Sequence, residues 1–177
     1  GAGDAVYVSG TLGDAAAALA LRGLRTGSYD GERNLARTRL QQRLARPTPR
    51  VALGLALRGI ASACIDVSDG LAADLGHICR ASGLAAVLEA DALPASRALL
   101  TLIDAPAQRL NLQLGGDDYE LCFTVPAPLE HRLPAIASAL HLQLTRIGAL
   151  GPGEGVHFLD SEGRLMTPPS AGFEHFR

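Results

Sequence analysis

The sequence contains no lysine, and all 16 of its basic residues are arginines. A Walker-type phosphate loop requires a lysine, and so does Schiff-base catalysis, so both classes are excluded. Tryptophan is also absent, and aromatic residues make up only 4% of the chain. Stacking platforms for single-stranded nucleic acid are therefore not expected. If this chain handles phosphates, it must use metal ions, arginines or backbone N–H groups.

Charge and hydropathy further limit the partners and the location that we expect for this protein. The net charge is −2 and the pI is near 6.2, which gives no electrostatic reason to expect a nucleic-acid or membrane partner. The longest apolar run, 15–21, is too short to span a bilayer, and no basic segment precedes an apolar run at the start. We therefore expect a cytoplasmic protein. A chain of 177 residues that is 47% hydrophobic suits one domain with a sizeable core.

The three cysteines are not expected to form a reactive or metal-binding site. Cys64, Cys79 and Cys122 are odd in number and show no paired spacing. Each lies in an apolar segment, which predicts buried free thiols rather than disulfides, zinc ligands or a nucleophile.

The stretch Cys64-Ile-Asp-Val-Ser-Asp-Gly-Leu71 is typical of a buried strand that turns directly into a helix. Asp66 and Ser68 stand two residues apart, which places them on one face of an extended backbone. Asp69 falls at the expected N-cap of a helix beginning near Gly70. Such carboxylates suit Mg²⁺, which often takes one or two of them together with substrate phosphates. Helix capping and turn chemistry alone are the alternative explanation.

A second acidic stretch, Gly115-Gly-Asp-Asp-Tyr-Glu120, precedes a predicted strand over 119–125. The paired glycines permit unusual backbone angles, and two adjacent carboxylates, Asp117 and Asp118, follow them. The alternative is an ordinary Gly-Gly-Asp turn before a strand.

The turn Gly10-Thr-Leu-Gly-Asp14 joins a predicted strand at 5–9 to an alanine-rich helix that we expect to reach about residue 24. Asp14 is expected to cap this helix. The turn is either an anion-binding nest or only a tight strand-to-helix connection.

The remaining pattern alternates helices and strands. Helices are predicted over 32–44, 51–57, 70–82, 93–103, 107–114 and 129–140, and further strands over 63–67, 84–89, 142–147 and 156–159. Arginines 33, 37, 39 and 43 form a row that predicts a solvated helix face rather than a site. Because two strands lie together at the end, we expect an α+β fold, a layered α/β/α sandwich with a mixed β-sheet.

Taken together, these stretches resemble the C-terminal half of the thiamine-monophosphate kinase family. The matching segments are 8–14, 66–77, 115–123 and 172–176, which follow the family's order across nearly the whole chain. The resemblance implies the fold of the C-terminal domain of aminoimidazole ribonucleotide synthetase. It also implies an ATP-dependent kinase that converts thiamine monophosphate to thiamine diphosphate, with Mg²⁺ as cofactor.

By position, the resemblance implies that Asp66 and Asp69 are the catalytic, metal-binding carboxylates and that Ser68 contacts ATP. It further places Asp117 at the thiamine-phosphate site and Phe173 against the ring of the substrate. At these last two positions the chain departs from the family, which usually has Glu at 117 and often Tyr or Trp at 173.

The resemblance also bears on domain organisation. It implies that residues 1–177 form a single C-terminal domain, and that the complete kinase has an N-terminal domain which binds ATP and metal and forms a homodimer. The 177 residues alone are then expected to be inactive. Two other functions stay open, namely another ATP-dependent synthetase of the same superfamily and a non-catalytic substrate-binding domain. Neither nucleic acid nor a membrane is an expected partner.

Overall fold

The structure, a computed structural model, describes residues 1–22 and 31–167. Within these ranges seven strands, β1 to β7, are Ala5–Ser9, Ala63–Asp66, Ala85–Glu89, Leu121–Val125, Leu144–Gly151, Gly155–Leu159 and Leu165–Met166. The same ranges contain seven α-helices, α1 to α7, which are Asp14–Ala20, Gly31–Ala45, Val51–Ala56, Leu71–Ser82, Arg97–Leu102, Pro106–Gln113 and Leu133–Leu140. Two short 3-10 helices lie at Ala90–Ala92 and Ala127–Arg132.

All of these strands belong to one mixed sheet in the order β2-β4-β1-β5-β3-β6-β7. β3 and β6 run parallel, and the other neighbouring pairs are antiparallel. β2 lies at an edge of the sheet and pairs with β4, so that Asp66 stands opposite Leu121. The end of β2 is thus an accessible margin of the sheet.

Helices cover both faces of this sheet. Cys122 and Phe123 are neighbours in β4 and therefore point to opposite faces. Cys122 belongs to a core cluster with Leu75 of α4, whereas Phe123 packs with Leu53 of α3. A third cluster, which includes Leu40, joins α1, α2 and α5 into a helical layer. The layered sandwich with a mixed sheet predicted from the sequence is confirmed.

The structure corrects several details. β7 was not predicted, because two residues are too short to show a periodic pattern. The predicted helix over 93–103 begins only at Arg97, where the Ser96 hydroxyl accepts the N–H of Leu99 at 3.0 Å. All three cysteines are free thiols as predicted, and Cys79 and Cys122 are buried, but the prediction that Cys64 is buried is wrong. That residue is exposed because alternate residues of the edge strand face outward.

Each helix in the described ranges is too short or too polar to cross a bilayer.

Gly148 in β5 generates a packing prediction. A Cβ there would overlap the Val87 carbonyl oxygen of β3, whereas Gly151 in the same strand has open space at that position. We predict that Gly148→Ala lowers the free energy of unfolding by about 1–3 kcal/mol, because the β3–β5 pairing must open. Gly151→Ala should change it by less than about 1 kcal/mol. Urea unfolding followed by circular dichroism measures both, and equal effects would contradict the packing argument.

Candidate functional site

The two acidic stretches predicted from the sequence lie side by side, just beyond the paired ends of β2 and β4. The Asp117 N–H donates to the Ser68 carbonyl and the Tyr119 N–H to the Val67 carbonyl, each at 2.9 Å. In return, the Val67 N–H donates to the Glu120 carbonyl at 2.8 Å. Backbone pairing therefore continues past the strands and joins residues 66–70 to residues 115–120. We call these two segments the paired turns.

The approach of the paired turns depends on Gly116, since a Cβ at this position would overlap the Ser68 carbonyl oxygen. Two non-glycine residues beside it, Asp117 and Tyr119, have left-handed backbones with φ of 69° and 51°. Such angles cost about 1–3 kcal/mol each and persist only where surrounding contacts enforce them. Here the enforcing contacts are the hydrogen bonds to the first turn. Conformational strain of this kind is typical of functional sites.

The carboxylates predicted to bind metal lie outside the hydrophobic core. Asp66 is the last residue of β2 and is exposed, while Asp69 is half-buried in the turn before α4. Ser68 is also half-buried. Since β2 ends at Asp66, Ser68 lies beyond the strand in the turn, and the common face of Asp66 and Ser68 stays a prediction.

The start of α4 is held by Asp74 and not, as predicted, by Asp69. The N-cap residue is Gly70, which has no side chain to cap the helix. Instead, Oδ2 of Asp74 accepts the backbone N–H groups of residues 68, 69 and 70 at 2.9, 3.1 and 3.1 Å. Burial raises the pKa of the Asp74 carboxyl group, and these three hydrogen bonds oppose the rise. Since the N–H of Ser68 is occupied, its hydroxyl is the donor left for a ligand.

The turn over 10–14 is closed in a similar way. Its helix, α1, has Gly13 at the N-cap, so the prediction that Asp14 caps it is wrong. The buried carboxylate of Asp118 accepts the Gly13 N–H at 2.6 Å and the Ala15 N–H at 3.2 Å. An acidic residue of the second paired turn therefore fills the position that an external anion would take. The geometry favours the tight connection over the anion-binding nest.

Glu120 gathers two arginines in the protein interior. It is 0% exposed, and its carboxylate accepts from Arg43 at 2.9 Å and from two nitrogens of Arg50 at 2.7 and 2.6 Å. The Ser9 hydroxyl adds a further hydrogen bond at 2.5 Å. A buried carboxylate is tolerated only with compensation of this extent. The prediction of a solvated arginine row is therefore wrong for Arg43.

An open groove of about 500 Å³ lies beside the paired turns. Asp66, Tyr119 and Arg50 line it together with largely apolar or small residues, which are Pro47, Pro49, Val51, Gly54, Cys64 and Leu121. Apolar walls with a few polar groups are typical of small-molecule sites. Asp117 is half-buried on the adjoining turn, and Phe173 lies outside the described residues.

The donor set fits Mg²⁺ only in part. In residues 1–22 and 31–167, no group of three or more His, Cys, Asp or Glu side chains is placed to hold a metal ion. Two carboxylates at an accessible sheet edge nevertheless suit this cation, which usually keeps waters and takes further ligands from phosphates. Asp66 and Asp69 can therefore contribute to a metal site that other groups complete.

The sequence patterns did not predict the buried hydrogen bonds and ion pairs of five residues at this site. These residues are Arg43, Arg50, Asp74, Asp118 and Glu120. The two arginines are 77 and 70 residues from Glu120, so no local pattern links them. For Asp74 a signal existed. It lies on the apolar stripe of α4 with Leu71, Leu75 and Ile78, where a charged side chain needs hydrogen-bonding partners.

The fold and the paired turns define a layered α/β domain with an acidic site at one edge of its sheet. Residues 1–160 match the family described as AIR synthase related protein, C-terminal domain, and the chain belongs to this family.

Relatives within this family are thiamine-monophosphate kinases, which confirms the resemblance read from the motifs. The protein of that name from Salmonella typhimurium is 45% identical over 176 residues, which are 98% of this chain and 53% of the relative. The crystal structure of thiamine-monophosphate kinase from Stenotrophomonas maltophilia K279a is 47% identical with a TM-score of 0.82, covering 94% of this chain and 52% of that chain.

A further solved structure, AaThiL complexed with AMPPCP and TMP, is 32% identical with a TM-score of 0.77. The match covers 99% of this chain and 52% of that chain. The chain spans about half the length of the curated relatives it matches.

Asp118 generates a prediction of pH dependence. Burial raises the pKa of Asp118 from 3.8 to about 7, although the N–H groups of Gly13 and Ala15 lower it. Because the folded-state pKa is the higher one, the stability that Asp118 contributes is full below pH 3.8 and is lost as the pH rises to about 7. The unfolding free energy of wild type minus that of Asp118→Asn should fall across this window and level off above it. Urea unfolding at several pH values measures this difference, and a constant value would contradict the raised pKa.

Proposed function

We propose that this chain acts as the C-terminal domain of a thiamine-monophosphate kinase, which uses ATP to phosphorylate thiamine monophosphate to thiamine diphosphate. The observation that carries the proposal is the similarity to thiamine-monophosphate kinases along 98% of the chain, both motif turns included. The complex of AaThiL with AMPPCP and TMP supports ATP as the phosphoryl donor and thiamine monophosphate as the acceptor.

Within this proposal Asp66 and Asp69 hold Mg²⁺ at the edge of the sheet. When bound, the cation would neutralise charge on the reacting phosphates. The acceptor is itself a phosphate, so it requires charge neutralisation more than a general base. The thiamine-monophosphate kinase relatives are about twice as long as the matched region, which supports a further domain in the intact protein. We propose that this N-terminal domain contributes further metal ligands and forms the homodimer.

The backbone contacts of Ser68 and Asp117 support the roles predicted for these two residues. The Ser68 hydroxyl is proposed to contact ATP, since the backbone N–H of this residue is already bound to Asp74. Asp117 is proposed to contact the thiamine phosphate, and its left-handed backbone fixes it beside Ser68. Phe173 remains a prediction for the substrate ring, as does the cytoplasmic location without nucleic-acid or membrane partners.

Two alternatives remain to be tested. Another ATP-dependent synthetase of the same superfamily would share this fold and these acidic turns. A non-catalytic substrate-binding domain would retain the groove but not depend on the carboxylates for turnover.

The metal ligands generate the first functional prediction. At an effective dielectric near 20, a charge pair about 4 Å apart is worth roughly 4 kcal/mol. In the intact protein, Asp66→Asn and Asp69→Asn should therefore lower kcat by roughly a hundredfold or more at saturating Mg²⁺. Asp104→Asn, which removes the same charge from an exposed loop, is the control and should leave kcat unchanged. Thiamine diphosphate formation is measured by chromatography, and near-normal kcat in either site variant would refute the ligand assignment.

The same assay separates the alternatives. The intact protein is supplied with ATP and Mg²⁺ and with either thiamine monophosphate or aminoimidazole precursors. Turnover of the aminoimidazole precursors alone would identify a synthetase, and turnover of neither would favour a binding domain. The 177 residues alone should fold and turn over negligibly, and measurable thiamine diphosphate from them would contradict the need for a second domain.

A further inference from the structure

We propose that Asp74 is a positioning residue for the metal-binding turn. Its buried carboxylate fixes the backbone of residues 68–70 and so sets the direction in which Asp69, the proposed metal ligand that accompanies Asp66, presents its oxygens. The inference deepens the proposed function and rests on its assignment of these two aspartates as metal ligands. Asp74 itself lies in the interior, 3% exposed, and does not touch the groove.

One carboxylate oxygen satisfies the whole turn. Oδ2 of Asp74 receives three consecutive backbone N–H groups within 3.1 Å. Successive N–H groups that converge in this way form a concavity suited to an anion. In this chain the anion is an internal side chain, and its hydrogen bonds are strengthened by its charge. The turn is therefore closed before any ligand arrives.

The opposite side of the turn is held equally well. The carbonyl groups of Val67 and Ser68 accept the N–H groups of Tyr119 and Asp117, as described above. The donors of the turn thus point to α4 and its acceptors point to the second paired turn. With both sets engaged, the segment has little freedom to rotate.

Gly70 also helps to fix the turn over residues 68–70. Its φ of 121° is a conformation that side chains rarely adopt, and it turns the N–H of Gly70 toward Asp74. The N–H of Asp74 donates back to the Gly70 carbonyl at 2.9 Å. This reciprocal pair locks the turn to the first helical turn of α4. A site whose ligands are held in this way does not have to order itself when the metal binds.

The charge of Asp74 has a second consequence. Its carboxylate is close enough to Asp69 for the two to interact electrostatically. A negative group behind the ligand side chain adds to the attraction for a divalent cation without contacting it. Replacing the carboxylate by an amide should therefore weaken metal binding even where the shape of the turn survives.

The test uses the intact protein and three variants, Asp74→Asn, Asp74→Glu and Asp74→Ala. The matched control is Asp160→Asn. Asp160 also accepts two backbone N–H groups, those of residues 162 and 164, both at 2.9 Å. It lies between β6 and β7, at the sheet edge opposite to β2. Two quantities are measured, which are the Mn²⁺ dissociation constant from electron paramagnetic resonance titration and the Mg²⁺ concentration for half-maximal kinase activity.

We expect Asp74→Asn to raise both quantities by roughly 10–100-fold, the usual effect of removing a group that supports a metal ligand. At saturating metal its kcat should recover toward the wild-type value. Asp74→Glu keeps the charge but misplaces it, so it should not restore tight binding. Asp160→Asn should leave both quantities unchanged. If Asp74→Ala fails to fold, Asp74→Asn decides the question, because its amide oxygen still accepts hydrogen bonds.

Unchanged metal affinity in Asp74→Asn would overturn the inference, whatever its melting temperature. The Mn²⁺ titration also separates this inference from the proposed function. A wild-type protein that binds Mn²⁺ through Asp69 but lacks kinase activity would refute the function and leave the role of Asp74 measurable. Equal Mn²⁺ binding by wild type and Asp69→Asn would overturn the positioning role together with the metal site.

Discussion

Backbone pairing beyond the ends of β2 and β4 is the constraint on which the site depends. Three hydrogen bonds link residues 67 and 68 to residues 117, 119 and 120, and Gly116 makes the approach possible. Without this pairing the two acidic turns would be separate surface loops, free to adopt different distances. With it, Asp66 and Asp69 have fixed positions relative to Asp117. The site is therefore an extension of the sheet and shares its rigidity.

Three buried carboxylates fix the segments that surround the paired turns. Asp74 holds the first turn, Asp118 holds the start of α1, and Glu120 holds Arg43 and Arg50. Removing a charge from water is costly, so each of these groups must be surrounded by donors. Each one consequently fixes the segment that supplies those donors. Around the paired turns, these three buried acidic residues are structural, and they stand beside the proposed ligand groups Asp66, Asp69 and Asp117.

The sequence predicts the layered fold well, because it rests on hydrophobic periodicity over whole elements. It also singles out both acidic stretches, because glycines and carboxylates are rare in buried strands. Assigning roles within those stretches is harder. Asp117 and Asp118 are adjacent and chemically alike, yet one lies at the site and the other is buried. Which is which depends on the left-handed backbone of Asp117, and no local pattern specifies that angle.

Contacts between distant segments account for the other errors. Arg43 belongs to a row of arginines that the sequence predicts to be solvent-exposed. Only the tertiary fold brings it to Glu120. Asp14 has the composition of a helix cap, yet Asp118, 105 residues from Gly13, caps α1. Asp69 also has that composition, but here the tie is local, since Asp74 in the first turn of α4 accepts the N–H groups of the preceding turn. Capping rules assume that a helix terminus is served by its own neighbours. At α1 the fold instead brings the buried Asp118 of the second paired turn to the helix terminus.

The same distribution of charges supports the proposal that this domain handles phosphate through a metal ion. The chain has no lysine, and the two arginines that contact the second paired turn are committed to Glu120. Releasing either guanidinium to a substrate would leave a buried carboxylate undercompensated, at a cost of several kcal/mol. Positive charge for a phosphate must therefore come from outside the side chains of these turns. In the proposed function a divalent cation supplies it, held by the exposed Asp66 at the end of β2 and the half-buried Asp69 in the following turn.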